Sequence, residues 1–254
     1  ASDVYKRQEQ KLSKKTRTES DLIGSREVPE SALYGVQTLR GIENFRISKF
    51  HLNEYPLFIQ ALAITKMGAA VANRELDLLT EEQTDAILKA CKEILEGKHH
   101  DQFPVDMIQG GAGTTTNMNA NEVIANRALE LMGHARGEYH YCSPNDHVNR
   151  SQSTNDAYPT AIHIGLYYTH LKLVKHFATL IEAFRKKGAE FAHIIKMGRT
   201  QLEDAVPMTL GQTFNGFASI LEHELKNLDF AAQDFLTVNM GATAIGTGIT
   251  AEPE

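Results

Sequence analysis

The sequence predicts a mainly α-helical protein in two parts. Residues 16–155 form an N-terminal helical domain with short irregular or extended segments, and residues 156–254 form the first long helices of a helical bundle. Three observations predict this. Apolar residues in the second part recur at spacings of three and four. Helix-capping signals precede the apolar runs. Glycine and proline interrupt the region before residue 48.

Residues 1–15 are predicted to be a disordered or extraneous tail. Residues 16–48 read as loop with short extended pieces, because Gly24, Pro29 and Gly35 interrupt them. Arg26 and Arg40 lie in this region. In an ordered loop, arginines of this kind hold carboxylates bidentately or form surface ion pairs, and both alternatives stay open.

Three helices follow. Pro56 begins an alanine-rich helix that reaches about residue 76. Residues 80–83 form a capping box, which starts a second helix that ends at Gly97. Glycines and threonines at residues 110–116 then lead into a third helix, which ends at Leu131. The glycine spacing in that loop fits neither a dinucleotide fingerprint nor a Walker motif.

A long helix is the main feature of the second part. It follows the polar stretch 143–156, contains Pro159 in its first turn, and runs for about 37 residues at ~1.5 Å each, or roughly 55 Å. A compact chain of this size has a diameter of about 45 Å. The helix therefore predicts a larger polypeptide or an oligomer. Its predicted buried seam consists of Leu166, Leu173, Leu180, Phe177 and Phe184.

The chain then turns at residues 197–207 and enters another helix at about Met208. Apolar residues from Leu210 to Leu228 fall on one side of it. The short connection predicts that this helix is antiparallel to the long one, as in a helical bundle.

Composition narrows the function classes. The chain is 42% hydrophobic and 23% charged, and it has no apolar run long enough to cross a membrane. A net charge of −6 argues against nucleic acid as the main partner. Two widely separated cysteines, Cys91 and Cys142, suit a reducing cytosol and no metal site. The basic N-terminus lacks the apolar core of a signal peptide. A cytoplasmic protein is expected.

Polar residues gather at three helix ends: Thr114, Ser153 to Asn155, and Thr200 with Gln201. Free N–H groups and the helix dipole favour anions at helix N-termini, although such residues also serve as simple caps. A site built of neutral donors suits a small dianionic substrate. Removal of a proton beside a carboxylate builds a doubly charged enolate-like intermediate, and preorganised donors would stabilise it.

The sequence resembles the first half of the aspartate ammonia-lyases, in the fumarase and aspartase superfamily. The resemblance extends from about residue 18 to residue 249. Joint chance matches across so many blocks are improbable. The matching blocks are residues 24–29, 34–40, 42–45, 101–106, 110–122, 144–159, 196–212 and 241–248.

The resemblance implies roles for several of these residues. Thr114, Ser153 and Thr154 would hold the β-carboxylate of L-aspartate, beside the proton that is removed. Asn155, together with Thr114, would contact the amino group that leaves as ammonia. The expected reaction is the reversible elimination of ammonia to give fumarate.

Other implied roles concern the second carboxylate and the assembly. Thr200 would bind the α-carboxylate, and Gln201 stands where fumarases carry histidine and some aspartases carry glutamine. Arg26 and Arg40 are second-tier candidates for activity or substrate orientation. The resemblance further implies a homotetramer with active sites shared between subunits around a central helical bundle.

One expected element is missing from the sequence. The general base of the family is a serine on a loop reading Gly-Ser-Ser-x-Met-Pro-x-Lys-x-Asn, and the 254 residues contain no such segment. We therefore expect no catalytic residue in this chain, a truncated bundle, and no turnover by the chain alone. The resemblance implies no required cofactor and no bound metal, and it leaves open activation by magnesium.

Two other functions compete with this interpretation. Class II fumarases eliminate water by the same route, but they usually carry a second serine where this chain has Thr154, whereas Gln37 is the fumarase-like choice. The missing base also fits a non-catalytic helical scaffold or pseudoenzyme subunit. An intact serine loop downstream would exclude that alternative.

Overall fold

The computed structural model describes residues 15–109, 111 and 113–252, so nearly all of the predicted tail lies outside the described residues. The chain forms two compact units. Unit 1 comprises Ala1–Gly165 and Val238–Glu254, and unit 2 comprises Leu166–Thr237. These compact units are not the predicted domains, which refer to the whole protein. The predicted domain boundary between residues 155 and 156 stays a prediction. In the described part of the chain, no helix is long and apolar enough to cross a membrane.

Unit 1 begins with an antiparallel hairpin of β1 (Thr16–Asp21) and β2 (Gly24–Pro29), in which Thr16 pairs with Pro29. This hairpin provides the short extended pieces predicted for the region. Helix α1 (Val36–Asn44) follows it, where the sequence predicted loop. The prediction missed α1 because its N-cap, Gly35, has no side chain and offers no local capping signal.

Two distant carboxylates cap α1 instead. Glu122, 1% exposed, accepts hydrogen bonds from the backbone N–H groups of Gly35, Gln37 and Thr38 at 2.8–3.0 Å. Glu19 accepts from the N–H of Val36 at 3.0 Å. Together they bind N–H groups that a helix N-terminus leaves without partners.

The core of unit 1 lies among α2 (Pro56–Glu75), α3 (Glu81–Leu95) and α4 (Thr114–Leu131). These bounds confirm the three predicted helices to within two residues, and Thr80 forms the predicted capping box. Helix α4 is buried along nearly its whole length. Fully buried members of the core include Leu52, Ile59, Leu62, Ile87, Ile94, Phe103, Ile124 and Leu129.

Helix α5 (Thr154–Glu190) has the predicted length of 37 residues but begins three residues earlier than Ala157. Pro159 therefore lies beyond the first turn, which corrects its predicted position. A proline lacks the N–H that would bond the carbonyl four residues before it, here that of Asn155. The side chain of Asn239 donates to this carbonyl at 3.1 Å and replaces the missing bond.

Unit 2 contains residues 166–190 of α5, an antiparallel hairpin of β3 (Ile195–Thr200) and β4 (Glu203–Thr209), and α6 (Leu210–Ala232). Residues 197–207, which were predicted to be a simple turn, thus belong to a β-hairpin. Contacts of His170 with Asp229 and of Arg185 with Glu222 show that α5 and α6 run antiparallel, as predicted.

The predicted apolar seam of α5 is only partly buried. Leu166, Leu173 and Leu180 are 44%, 41% and 44% exposed, as expected for a helix that is too long for this chain alone to bury. The side of α5 that faces α6 carries Ile181 together with Phe184 of the predicted seam, and the ring centroid of Phe184 lies 5.9 Å from that of Phe214.

Candidate functional site

The N-termini of α4 and α5 meet in unit 1. Gly113 precedes α4 with φ +85°, and a Cβ added to it would lie 2.6 Å from the ring of Tyr158 in α5. One turn further along α4, the Asn117 amide nitrogen lies 3.2 Å from the Thr154 hydroxyl oxygen. The structure therefore brings the end that carries Thr114 against the end that carries residues 153–155.

Ser153 caps α5. Its hydroxyl oxygen accepts from the backbone N–H of Asn155 at 3.2 Å, and its own N–H donates to the Asp156 carboxylate at 2.9 Å. The simple capping interpretation is thus correct for part of what Ser153 does. Accepting a hydrogen bond leaves the hydroxyl hydrogen able to donate to another group.

Asn155 has a fixed amide orientation. Its nitrogen donates to the carbonyl oxygen of Ala244 at 2.7 Å. A carbonyl can only accept, so the amide oxygen of Asn155 is the atom turned away and able to accept from a cation such as an ammonium group. The neighbouring Asp156 accepts from the N–H of Thr243 at 2.8 Å, which joins residues 239–244 to the start of α5.

Lys66 is a central residue that sequence reasoning missed. Its side chain is fully buried, and Nζ donates to the amide oxygens of Asn117, Asn149 and Gln152 at 2.8, 3.0 and 2.8 Å. Burial lowers the pKa of Lys66 to about 7, against the opposing effect of the negative charge on Asp156. A signal was present in the sequence, because Lys66 lies on the same helical face as apolar residues four positions before and after it.

Two hollows border these helix ends. A recess of about 410 Å³ is lined by Gln109, Gly113, Asn155 and Tyr158 among others, and a cleft of about 680 Å³ is lined by residues that include Thr114 and Arg40. Both volumes are in the range of small-molecule sites. In the residues that the structure describes, no three His, Cys, Asp or Glu side chains form a group that could hold a metal ion.

Arg40 and Arg26 both face carboxylates of the chain itself. Arg40 contacts both oxygens of Asp21 at 2.8 and 2.9 Å and donates to the carbonyl of Gly24. This contact lowers the pKa of Asp21 and fixes the turn of the first hairpin. Arg26 is half-exposed on β2, with its guanidinium 3.7 Å from Glu43. The bidentate geometry considered for these arginines is therefore present at Arg40, with an internal partner.

Thr200 and Gln201 lie in unit 2, where Thr200 ends β3 and Gln201 begins the two-residue turn to β4. Gln201 and Leu202 have φ values of +48° and +68°, in the left-handed region that glycine and asparagine usually occupy. Leu202 is fully exposed. Backbone of this kind costs about 1–3 kcal/mol per residue and gathers at functional segments.

Comparison with known proteins links this arrangement to one family. The sequence pattern of a family described as "Lyase" matches residues 24–254. The chain is 58% identical over 93% of its length to the aspartate ammonia-lyase of Pseudomonas fluorescens, and 54% identical over 96% of its length to that of Escherichia coli strain K12. It covers 50% and 51% of those two proteins, so the chain spans about half the length of the curated relatives it matches.

Solved structures agree with this match. A fumarate lyase:delta crystallin from Brucella melitensis, bound to cobalt, is 51% identical with a TM-score of 0.89, and the match covers 94% of this chain and 52% of the other. A class II fumarase from Schistosoma mansoni is 36% identical with a TM-score of 0.86, over 94% of this chain and 50% of the other. The predicted mainly α-helical fold and the predicted superfamily are confirmed.

Proposed function

Because the chain belongs to the lyase family that residues 24–254 match, we propose that the protein carrying it is an aspartate ammonia-lyase. It would eliminate ammonia reversibly from L-aspartate to give fumarate, a step of amino-acid metabolism. Named aspartate ammonia-lyases at 54–58% identity support this choice over the fumarases, for which the matching structure is 36% identical.

The carboxylate beside the departing proton would bind where α4 and α5 begin. Thr114, Ser153 and Thr154 place three hydroxyl groups at two adjoining helix N-termini. Negative charge grows on this carboxylate as the Cβ proton leaves, because the intermediate is an aci-carboxylate. Hydroxyl donors and helix dipoles that are already oriented lower the cost of that charge.

The orientation of Asn155 is the single observation that carries the proposal. Its amide nitrogen is held by the Ala244 carbonyl at 2.7 Å, so its oxygen would be left to face the substrate as an acceptor. An ammonium group has only donors to offer, whereas the hydroxyl of malate can also accept. The amide oxygen would therefore favour an amino leaving group, which Thr114 would contact as well.

The remaining parts of the site are proposed on the resemblance. Thr200 would bind the α-carboxylate and Gln201 would lie beside it, while Arg26 and Arg40 would be second-tier contributors to activity or substrate orientation. The general base would come from a serine loop outside these 254 residues, so the chain by itself would not turn over aspartate. We propose a cytoplasmic homotetramer with shared active sites that requires no cofactor and is open to activation by magnesium.

Ultraviolet absorbance of fumarate tests the proposal. The protein expressed from its complete gene and the 254-residue chain would each receive L-aspartate and, separately, L-malate. We expect fumarate from aspartate alone, and only with the complete protein. Fumarate from malate alone would assign the protein to the fumarases. Turnover by the 254-residue chain would show that the base lies among the residues printed here.

A variant of Asn155 refines the test. Asn155→Ala should lower kcat/KM for aspartate by about 100-fold, the cost of a lost hydrogen bond to a charged group. Asn227→Ala, at an exposed asparagine of α6, is the control and should leave kcat/KM unchanged. An Asn155→Ala protein with unaltered kcat/KM would exclude contact between this amide and the leaving group.

A further inference from the structure

Lys66 meets three acceptors with three donors. Its ammonium group has three N–H bonds and no lone pair, and three amide oxygens lie within 3.0 Å of it. The side chain is completely buried, so water does not compete for these N–H bonds. Each of the three amides is therefore held with its oxygen toward Lys66.

Asn117 shows what this orientation does. Its oxygen accepts from Lys66 at 2.8 Å, and its nitrogen donates to Asn149 at 3.1 Å and to the Thr154 hydroxyl oxygen at 3.2 Å. The reversed amide would place its NH₂ group against the ammonium of Lys66, donor against donor. Lys66 thus decides which end of the Asn117 amide faces Thr154.

The hydroxyl of Thr154 is oriented in turn. A hydroxyl that accepts from Asn117 keeps its own hydrogen for a different partner. A carboxylate can only accept, so it needs a donor at this position. Without Lys66, the Asn117 amide could turn over, its oxygen would take the Thr154 hydrogen, and the hydroxyl would offer a carboxylate its lone pairs.

The same lysine also holds the turn before α5. Asn149 accepts from Lys66 and donates to the carbonyl of Gln152 at 3.2 Å. Gln152 accepts from Lys66 and donates to the carbonyls of Val148 and Arg150 at 3.0 Å. This turn includes Ser151 at φ +58° and leads directly into the capping residue of α5.

We propose that Lys66 is a positioning residue for carboxylate binding: acting through Asn117, it turns the hydroxyl hydrogen of Thr154 toward the substrate. The proposal rests on the proposed function and deepens it, since it states how one of the carboxylate donors acquires its direction. Lys66 itself contacts neither the substrate nor a reacting atom.

Calorimetric titration with succinate tests the proposal on the protein expressed from its complete gene. Succinate has two carboxylates and no leaving group, so its binding reports carboxylate recognition without turnover. Asn117→Asp keeps an oxygen for Lys66 but removes the N–H that faces Thr154. Lys66→Met removes all three donors. Both variants should bind succinate about 10- to 100-fold more weakly, the range for one hydrogen bond to a charged group.

Two controls separate positioning from general damage to α2. Thr65→Val removes a buried hydrogen bond to the Ala61 carbonyl inside the same helix. Lys89→Met removes an exposed lysine of α3. Both should bind succinate like the unaltered protein. In a Thr154→Val background, Asn117→Asp should add less than a twofold loss, because the hydroxyl through which it acts is absent.

The outcomes are distinct. Unchanged succinate binding by Asn117→Asp overturns the proposal, and so does an equal loss in Thr65→Val or a full additive loss in the Thr154→Val background. Should Lys66→Met fail to fold, Asn117→Asp decides alone. An unaltered protein that binds no succinate also overturns it. The proposed function is judged separately, by whether the unaltered protein forms fumarate from aspartate.

Discussion

The two units differ in where they place their charged groups. In unit 1, Glu122 and Lys66 are at most 1% exposed, and each makes three hydrogen bonds to groups distant in the sequence. In unit 2, the Arg185–Glu222 pair has side chains 42% and 44% exposed, and the Arg199–Asp204 pair is more exposed still. Unit 1 is organised around buried polar groups, whereas these two arginine ion pairs of unit 2 lie at its surface.

This difference determines how each unit should respond to substitution. A buried polar group that loses its partners costs far more than the bond itself contributed, because water does not replace them. A surface pair exchanges its partner for water at little cost. Substitutions of buried polar groups in unit 1 should therefore be severe, and substitutions in the surface pairs of unit 2 should be mild. Four experiments follow in order of expected effect.

The largest effect is expected at the cap of α1. Glu122→Ala leaves three backbone N–H groups without an acceptor, and it should lower the free energy of unfolding by about 3–5 kcal/mol. Urea denaturation followed by circular dichroism measures this. Glu122→Gln keeps one acceptor oxygen and should fall between Glu122→Ala and the unaltered protein. A loss below about 1 kcal/mol in Glu122→Ala would mean that α1 needs no cap.

The next largest effect is expected in acid, where the Glu93 carboxylate loses its contribution to the free energy of unfolding. Arg127, bonded to both oxygens of Glu93 at 2.6 and 2.8 Å, and His99 lower the pKa of Glu93 from 4.5 to about 2. A carboxyl whose pKa is lower in the folded state than in the unfolded state stabilises the fold at pH values above its unfolded-state pKa. About 2–3 kcal/mol should therefore be lost as pH falls from 4.5 toward 2. Unfolding free energies across this range give the slope.

Glu93→Gln should reduce the acid slope by about this amount, since the amide does not titrate. The matched control is Glu96→Gln, at an exposed carboxylate near the end of the same helix. An acid slope in Glu93→Gln equal to that of the unaltered protein would assign it to other carboxylates.

Substitution of two glycines distinguishes the cost of backbone strain from the cost of a steric clash at the site. Gly113 and Gly97 have φ values of +85° and +86°, but an added Cβ meets Tyr158 only at Gly113. Gly97→Ala should cost about 1 kcal/mol, and Gly113→Ala about 1–2 kcal/mol more because Tyr158 must move. Thermal unfolding compares them. Equal losses would mean that the two helix ends adjust freely to each other.

The smallest effect is expected in unit 2. Arg185→Ala breaks the pair with Glu222, and both side chains are already hydrated. The thermal midpoint should stay within the scatter of repeated measurements. A decrease as large as that of Gly113→Ala would break the contrast between the units and show that this pair lies in a shielded environment.

Local sequence signals explain which elements could be predicted. The bounds of α2, α3 and α4 followed from a proline, a capping box and glycines that lie next to them in the chain. Helix α1 could not be predicted because its cap comes from Glu122, 84 to 87 residues away. Periodicity marked Leu173 as part of an apolar face, and the length of the helix indicated that this chain alone would not cover that face, but neither says which molecule does.

In the candidate site, too, some features follow from local sequence signals and others depend on residues distant in the sequence. The sequence predicted polar groups at the starts of α4 and α5, and the structure places those starts side by side. The bonds from Asn155 to Ala244 and from Asp156 to Thr243 span 87 to 89 residues and follow no local rule. Lys66 carried a detectable signal, a charge on a buried helical face, but its three partners are visible only in the fold.

Burial also makes Lys66 a reporter of local opening of the fold. Its side chain is fully buried, so an acylating reagent cannot reach the amine while the site is closed. Exposed lysines such as Lys89 are open to reagent continuously. Lys66 is reached only when α2 separates from its neighbours, so its acylation rate, read by mass spectrometry, counts the openings of the candidate site.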